Sequence, residues 1–169
     1  MTGIERRIFD AVDTDHGQSI SAKELQKALS NGAGTDFDLS TINLMINIFD
    51  SDSTGQLNFP QFSELYKYVI KWQQVFKTYD KDNSKSIEFN EFNEALRSFG
   101  YQLSPQFVEM LTRKFDRKKR SKIYFDDFIH ACISLQILTT KFEPLDTNKT
   151  GHATMTFEQF LFAAMSIFV

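Results

Sequence analysis

VFKTYDKDNSKSIEFNE, running from Val75 to Glu91, decides how this chain is built. Oxygen-bearing side chains stand in it at fixed offsets: Asp80, Asp82, Ser84, Glu88 and Glu91. They occupy places one, three, five, nine and twelve of a loop, with Ser86 offering its carbonyl at place seven and Ile87 at place eight. A hard divalent cation takes six to eight oxygens at roughly 2.3–2.6 Å, from all sides. One short loop meets that demand only if alternate residues point inward and a final carboxylate closes the shell with both oxygens. The spacing is thus dictated by the chemistry of the ion. Ca2+ is the ion it implies, with Mg2+ as the other hard cation such oxygens accept at rest.

The same register recurs at Asp13, Asp50, Asp116 and Asp146, with separations of 37, 30, 36 and 30 residues along the chain. A repeat of this size marks an array of helix–loop–helix units. The short separations leave about eighteen residues between loops, enough for one shared helix. The long ones have room for two helices and a linker, and NGAGTDFDLS and SFGYQLSP read as those linkers. The expected fold is all-α, a single domain over residues 1–169. Its five units carry loops at 13–24, 50–61, 80–91, 116–127 and 146–159, with short β pairings between loops.

Composition narrows the function. A net charge of −3 and a pI near 5.6 argue against a nucleic-acid binder, which needs a basic face. No apolar run is long enough for a membrane span, and no secretory segment is read near Met1. The lone cysteine, Cys132, excludes a disulfide scaffold and suits a reducing cytosol. The 18 phenylalanines recur at helical spacing before and after the loops, the pattern of a packed aromatic core. Nothing pairs a nucleophile with a base, so no enzyme is expected.

Each loop has its own ligand set. The third offers four carboxylates, the Ser84 hydroxyl and the Ser86 carbonyl. Its defect is Lys85 at place six, where the turn asks for positive φ and a side chain costs roughly 1–2 kcal/mol. The first has Asp13, Asp15, Ser21 and Glu24, with the Ser19 carbonyl; Gly17 supplies no side-chain ligand and Gln18 takes the turn. The second ends on Gln61, a neutral amide where a carboxylate belongs, and is expected to stay empty and pair with the first. The fourth turns Lys118 and Arg120 toward the cation position, so it is read as scaffolding through Ile123. Its RKKR run also has the look of a nuclear-import or anionic-lipid patch. In the fifth, Phe157 falls at place twelve, Glu158 comes one residue late and Phe160 two, which signals an insertion and weak or no binding. The expected metal ligands are therefore Asp13, Asp15, Ser19, Ser21 and Glu24, with Asp80, Asp82, Ser84, Ser86, Glu88 and Glu91.

Loops of this kind pair, because each has a short strand whose backbone groups need a partner. The first pairs with the second and the third with the fourth, leaving the fifth with FEQFLFAAMSIFV beside an open edge. An exposed edge and apolar face seek another chain, and an identical one closes a two-fold dimer. Trp72, with Tyr68 and Phe76 at spacings of four, lies on one face of the helix between the second and third loops, and is expected to border a peptide pocket.

The stretches QKALSNG, YDKDNSKSIEFNE, ALRSFGYQLS, RKFDRKKRSKIYFDDFI and ACISLQILT, with the terminal SIFV, resemble the penta-EF-hand family across nearly the whole chain. Lys85 and Gln18 depart from the turn glycine usual there. The resemblance implies calcium at the first and third hands and a homodimer or heterodimer through the fifth. It also implies an apolar pocket that opens with calcium to take a proline-rich or hydrophobic peptide of a partner. It implies a cytoplasmic, also nuclear or membrane-peripheral, calcium sensor and adaptor, recruited to membranes through its partners. The other role the family offers is a regulatory subunit of a larger calcium-dependent enzyme, of the calpain small-subunit kind.

Overall fold

The helices of this chain start and stop on the residues of its loops. A computed structural model describes residues 2–29, 36–116 and 122–167. In it run α1 (Thr2–Val12), α2 (Ala22–Ala28), α3 (Leu39–Phe49), α4 (Phe59–Tyr79), α5 (Phe89–Ser98), α6 (Pro105–Phe115), α7 (Phe125–Phe142) and α8 (Phe157–Met165). Among the described residues the fold is all-helical, without a strand. Lys118, Arg120, the NGAGT stretch of the first linker and the last two residues lie outside them.

Place one of a loop ends the incoming helix: Asp50, Asp80 and Asp116 are the C-caps of α3, α4 and α6. Place nine starts the outgoing helix, with Ser21, Asn58 and Glu88 as N-caps of α2, α4 and α5. Place twelve completes a capping box from the third helical residue, as Glu24, Gln61 and Glu91 do. An ion loop is thus two helix caps facing each other. Between α5 and α6 the chain turns on Gly100 at φ 92°, where the Tyr101 N–H reaches back to the Leu96 carbonyl at 3.0 Å. Ser104 and Pro105 then open α6. α4, with 21 residues, is continuous from the second loop to the third, and α7, with 18, leads from the fourth toward the fifth.

The backbone forms two compact units, Met1–Ile129 and His130–Val169. In the first, the loops meet in twos through single-residue antiparallel bridges. Ile20 and Leu57 exchange N–H···O bonds of 2.8 and 3.0 Å, and Ile87 and Ile123 bonds of 2.8 and 2.9 Å. All four side chains are fully buried, which anchors each bridge in the core. Around them Phe9 sets its edge against Phe59 and Phe62, both at 5.5 Å. Phe128 meets Phe76 at 5.4 Å, Trp72 at 5.8 Å and Phe92 at 6.2 Å. Burying one such ring contributes roughly 1.5–3 kcal/mol, and edge contacts add to it. Of the face that sequence placed at a pocket, Phe76 is core, while Trp72 and Tyr68 are half-buried.

In the second unit the fifth loop leads into α8, capped by Thr156. No residue of α8 is buried, and Phe157, Phe160, Leu161, Phe162 and Met165 are all exposed. Among the described residues no helix is long and apolar enough to cross a membrane.

Candidate metal centres

The first loop gathers its carboxylates most closely. One oxygen each from Asp13, Asp15 and Glu24 lies within 4.8 Å of the others, the spacing of ligands around one ion. Backbone donors hold them there. Gly17 N–H donates to Asp13 Oδ1 and Asp15 Oδ1, both at 2.9 Å, and Gln18 N–H to Asp13 Oδ2 at 2.9 Å. A Cβ on Gly17 would stand 2.9 Å from Asp15 Oδ1, so a larger residue at place five requires that carboxylate to shift. Glu24 is buried, and burial alone raises a carboxyl; the hydroxyl and N–H of Ser21, then the N–H and hydroxyl of Thr14, instead hold it down to about 2. Ser21 and Ser19 lie along the same rim, with the Ser19 hydroxyl bonded to Gln56 Oε1 of the second loop.

The third loop is built differently. Asp80 is buried, and its Oδ1 has no hydrogen-bond partner. Burial, aided by the Asp82 carboxylate, raises its pKa against the opposing Lys85 N–H, which donates to Oδ2 at 3.0 Å. A buried carboxylate oxygen left without a donor is what a cation satisfies, so the residues present fit a hard divalent ion. Asp82 accepts the Ser84 N–H at 3.0 Å, and Glu91 accepts the N–H of Glu88 at 3.0 Å and of Lys81 at 3.1 Å. Ser86 is buried, with its carbonyl accepting the Ser84 hydroxyl at 3.0 Å, while Glu88 is exposed. Asp80, Asp82, Glu88 and Glu91 are not drawn to the mutual spacing seen in the first loop.

Sequence reading located the strained turn at place six and missed its neighbour. Gln18, Gly55, Lys85 and Gly151 have φ of 61°, 76°, 64° and 78°, and His16, Ser53, Asn83 and Lys149 two residues earlier have 58°, 55°, 55° and 53°. The loops thus carry a second left-handed residue at place four, which no shared residue type marks in the sequence. In the fifth loop the closing contact falls at residue 159. Gln159, not Glu158, returns to the cap, accepting the Thr156 N–H at 2.8 Å as Gln61 accepts that of Asn58 at 2.9 Å. The two-residue insertion lies before Thr156, and the second and fifth hands both close on an amide. In the fourth, buried Asp126 accepts the Asp38 N–H at 3.2 Å, tying the linker down, a contact with no sequence signal.

Paired helix–loop–helix calcium hands of this geometry define a protein of the EF-hand class. Residues 2–67 and 70–133 each match the family model described as an EF-hand domain pair. Sorcin from Schistosoma japonicum is 52% identical over 164 residues, covering 97% of this chain and 95% of that protein. Peflin from Homo sapiens is 39% identical over 154 residues, covering 90% of this chain but 54% of its own length. The solved structure of a homolog of programmed cell death 6 protein from Leishmania major Friedlin superposes with a TM-score of 0.86 at 34% identity, over 98% of this chain and 95% of that one. The chain belongs to the penta-EF-hand family, close to the programmed cell death 6 type, and binds Ca2+.

Proposed function

We propose that this protein is a calcium-dependent adaptor that dimerises through its fifth hand and captures partner peptides on an apolar surface. The observation that carries it lies at the residue after each loop. Leu25, Phe62, Phe92 and Phe128 are at most 2% exposed, whereas Phe160, their counterpart in the fifth hand, is 54% exposed. A residue type buried in every other hand and bare in one supports a partner chain over that hand. Beside it a groove of about 460 Å³ is lined by Leu138, Phe142, Leu145, Met155, Phe160 and Ile167.

Two ions are held, one by Asp13, Asp15, Ser19, Ser21 and Glu24, the other by Asp80, Asp82, Ser84, Ser86, Glu88 and Glu91. Clustered carboxylates support the first and the partnerless Asp80 oxygen the second. The single-residue loop bridges support coupled pairs of hands and, with them, the short β pairings expected from sequence. Trp72, half-buried and edge-on to Tyr68, Phe99 and Phe128, sits at the margin of the aromatic core, where a change in helix angle uncovers apolar surface for a proline-rich or hydrophobic peptide.

Calorimetric titration should count two calcium ions on the wild type and one on each of Glu24→Ala and Glu91→Ala. Emission of the sole tryptophan should shift on calcium addition and again on adding a proline-rich peptide. Emission indifferent to calcium would sink the opening step, and an unchanged ion count in both variants the site assignment.

A further inference from the structure

Glutamate and glutamine close these loops by different bonds. In the first loop Glu24 accepts the N–H of Ser21 at 3.0 Å and that of Thr14 at 2.8 Å. Glu91 does the same in the third, from Glu88 and Lys81. Gln61 makes only the first of these contacts, Oε1 accepting the Asn58 N–H at 2.9 Å. A backbone N–H can only donate, so this bond fixes the amide with its nitrogen turned into the loop. There Nε2 donates to Asp52 Oδ1 at 2.8 Å and to Ser51 Oγ at 3.2 Å. The side chain at place twelve is thereby bonded to the carboxylate at place three, two groups that an ion joins in a calcium-holding loop. Asn58 Oδ1 accepts the Gln61 N–H at 3.1 Å, and Asp50 accepts Gly55 N–H at 2.6 Å and Thr54 N–H at 3.1 Å. Gln61 itself is buried. The closed loop is bonded to the first one through the Ile20–Leu57 bridge and the Ser19–Gln56 side-chain contact. Ser19 and Ile20 are places seven and eight of the first loop.

We infer that the Gln61 amide is a built-in substitute for the ion: it keeps the second hand closed without metal, and through the bridge it positions the seventh and eighth places of the first loop for calcium. Closure of the second hand is independent of the reading of the first as a calcium site; only the benefit to the first hand rests on that reading. A loop already in place binds its ion without the cost of ordering it.

Two variants separate the parts. Gln61→Glu keeps the acceptor for Asn58 and sets a second carboxylate against Asp52, a repulsion that calcium relieves. Gln61→Met keeps the length and removes all three side-chain bonds. In chelator, the Ile20 and Leu57 amides should exchange with solvent about tenfold faster in both variants than in the wild type, with the Ile87 and Ile123 amides of the other pair unchanged. On calorimetry Gln61→Glu should take up one ion more than the wild type, and Gln61→Met none more. Wild-type exchange at Ile20 and Leu57 in both variants overturns the inference, and so does a Gln61→Glu protein with no added ion. The chelator arm does not depend on the ions of the first and third hands, which the wild-type count decides, so the two readings fail separately.

Discussion

Oxygens at the ends of side chains do two jobs in this protein, and Glu24 shows how they are reconciled. Its carboxylate caps α2 through Ser21 and reaches back to Thr14, so it is held in place by donors that also favour its charge. Burial works the other way, but the donors win and its pKa falls from 4.5 to about 2. A folded-state pKa below the unfolded one means that the charge stabilises the fold above the unfolded value. That stability is lost as pH falls from about 4.5 toward about 2. In chelator, acid titration of wild type against Glu24→Gln should therefore show a gap in unfolding free energy on the order of 2–3 kcal/mol at neutral pH, closing across that window. Parallel curves for the two proteins would contradict it. Asp80 has the opposite sign: its raised pKa means that protons compete for it at higher pH than for Glu24. In chelator, Asp80 should take up its proton before Glu24 as pH is lowered, an order that carboxyl-resolved NMR titration would register.

Helices and loops were legible in the sequence to unequal degrees. The register of five loops, the shared α4 and the capped start at Ser104-Pro105 follow from spacing and cap chemistry, both local in the chain. The left-handed residues at place four were not legible, because His16, Ser53, Asn83 and Lys149 share no single residue type. At the end of the fifth loop Glu158 has the right charge and the late Phe160 points to residue 159; the cap to Thr156 comes from Gln159. The role of Gln61 was read as a loss, since charge was counted and hydrogen bonding was not. Tertiary contacts explain the rest. Phe128 was placed in the core by its register alone, but its weight comes from Trp72, Phe76 and Phe92 converging on one ring from two other helices. Phe128→Ala should therefore cost about 3–5 kcal/mol. Chemical denaturation monitored by far-ultraviolet circular dichroism would register it as a lower midpoint with an unchanged slope, and a loss under 1 kcal/mol would show that the three contacts do not share a single core.

An array of five hands has a parity problem, which is the ground for the proposed assembly. Four hands in the first unit bring their loops together in twos, and the residue that follows each loop is buried there. The fifth leads into a helix whose phenylalanines at 157, 160 and 162 and methionine at 165 face solvent in one copy. Lys141 lies over the Phe162 ring at 5.4 Å, yet that residue stays 69% exposed. A face of this composition is poorly tolerated on a lone molecule, and a second copy offers the same face in complementary orientation about a two-fold axis. Charge placed on it should separate the copies without touching the first four hands, because aspartate in a dry interface lacks a partner. Phe160→Asp combined with Phe162→Asp should elute at the mass of one chain at micromolar concentration, and the wild type at the mass of two. The same variant should still bind two calcium ions, since its substitutions lie outside the first and third loops. A variant that remains dimeric would place the interface elsewhere, and a wild type that is monomeric with and without calcium would remove the fifth hand from the assembly altogether.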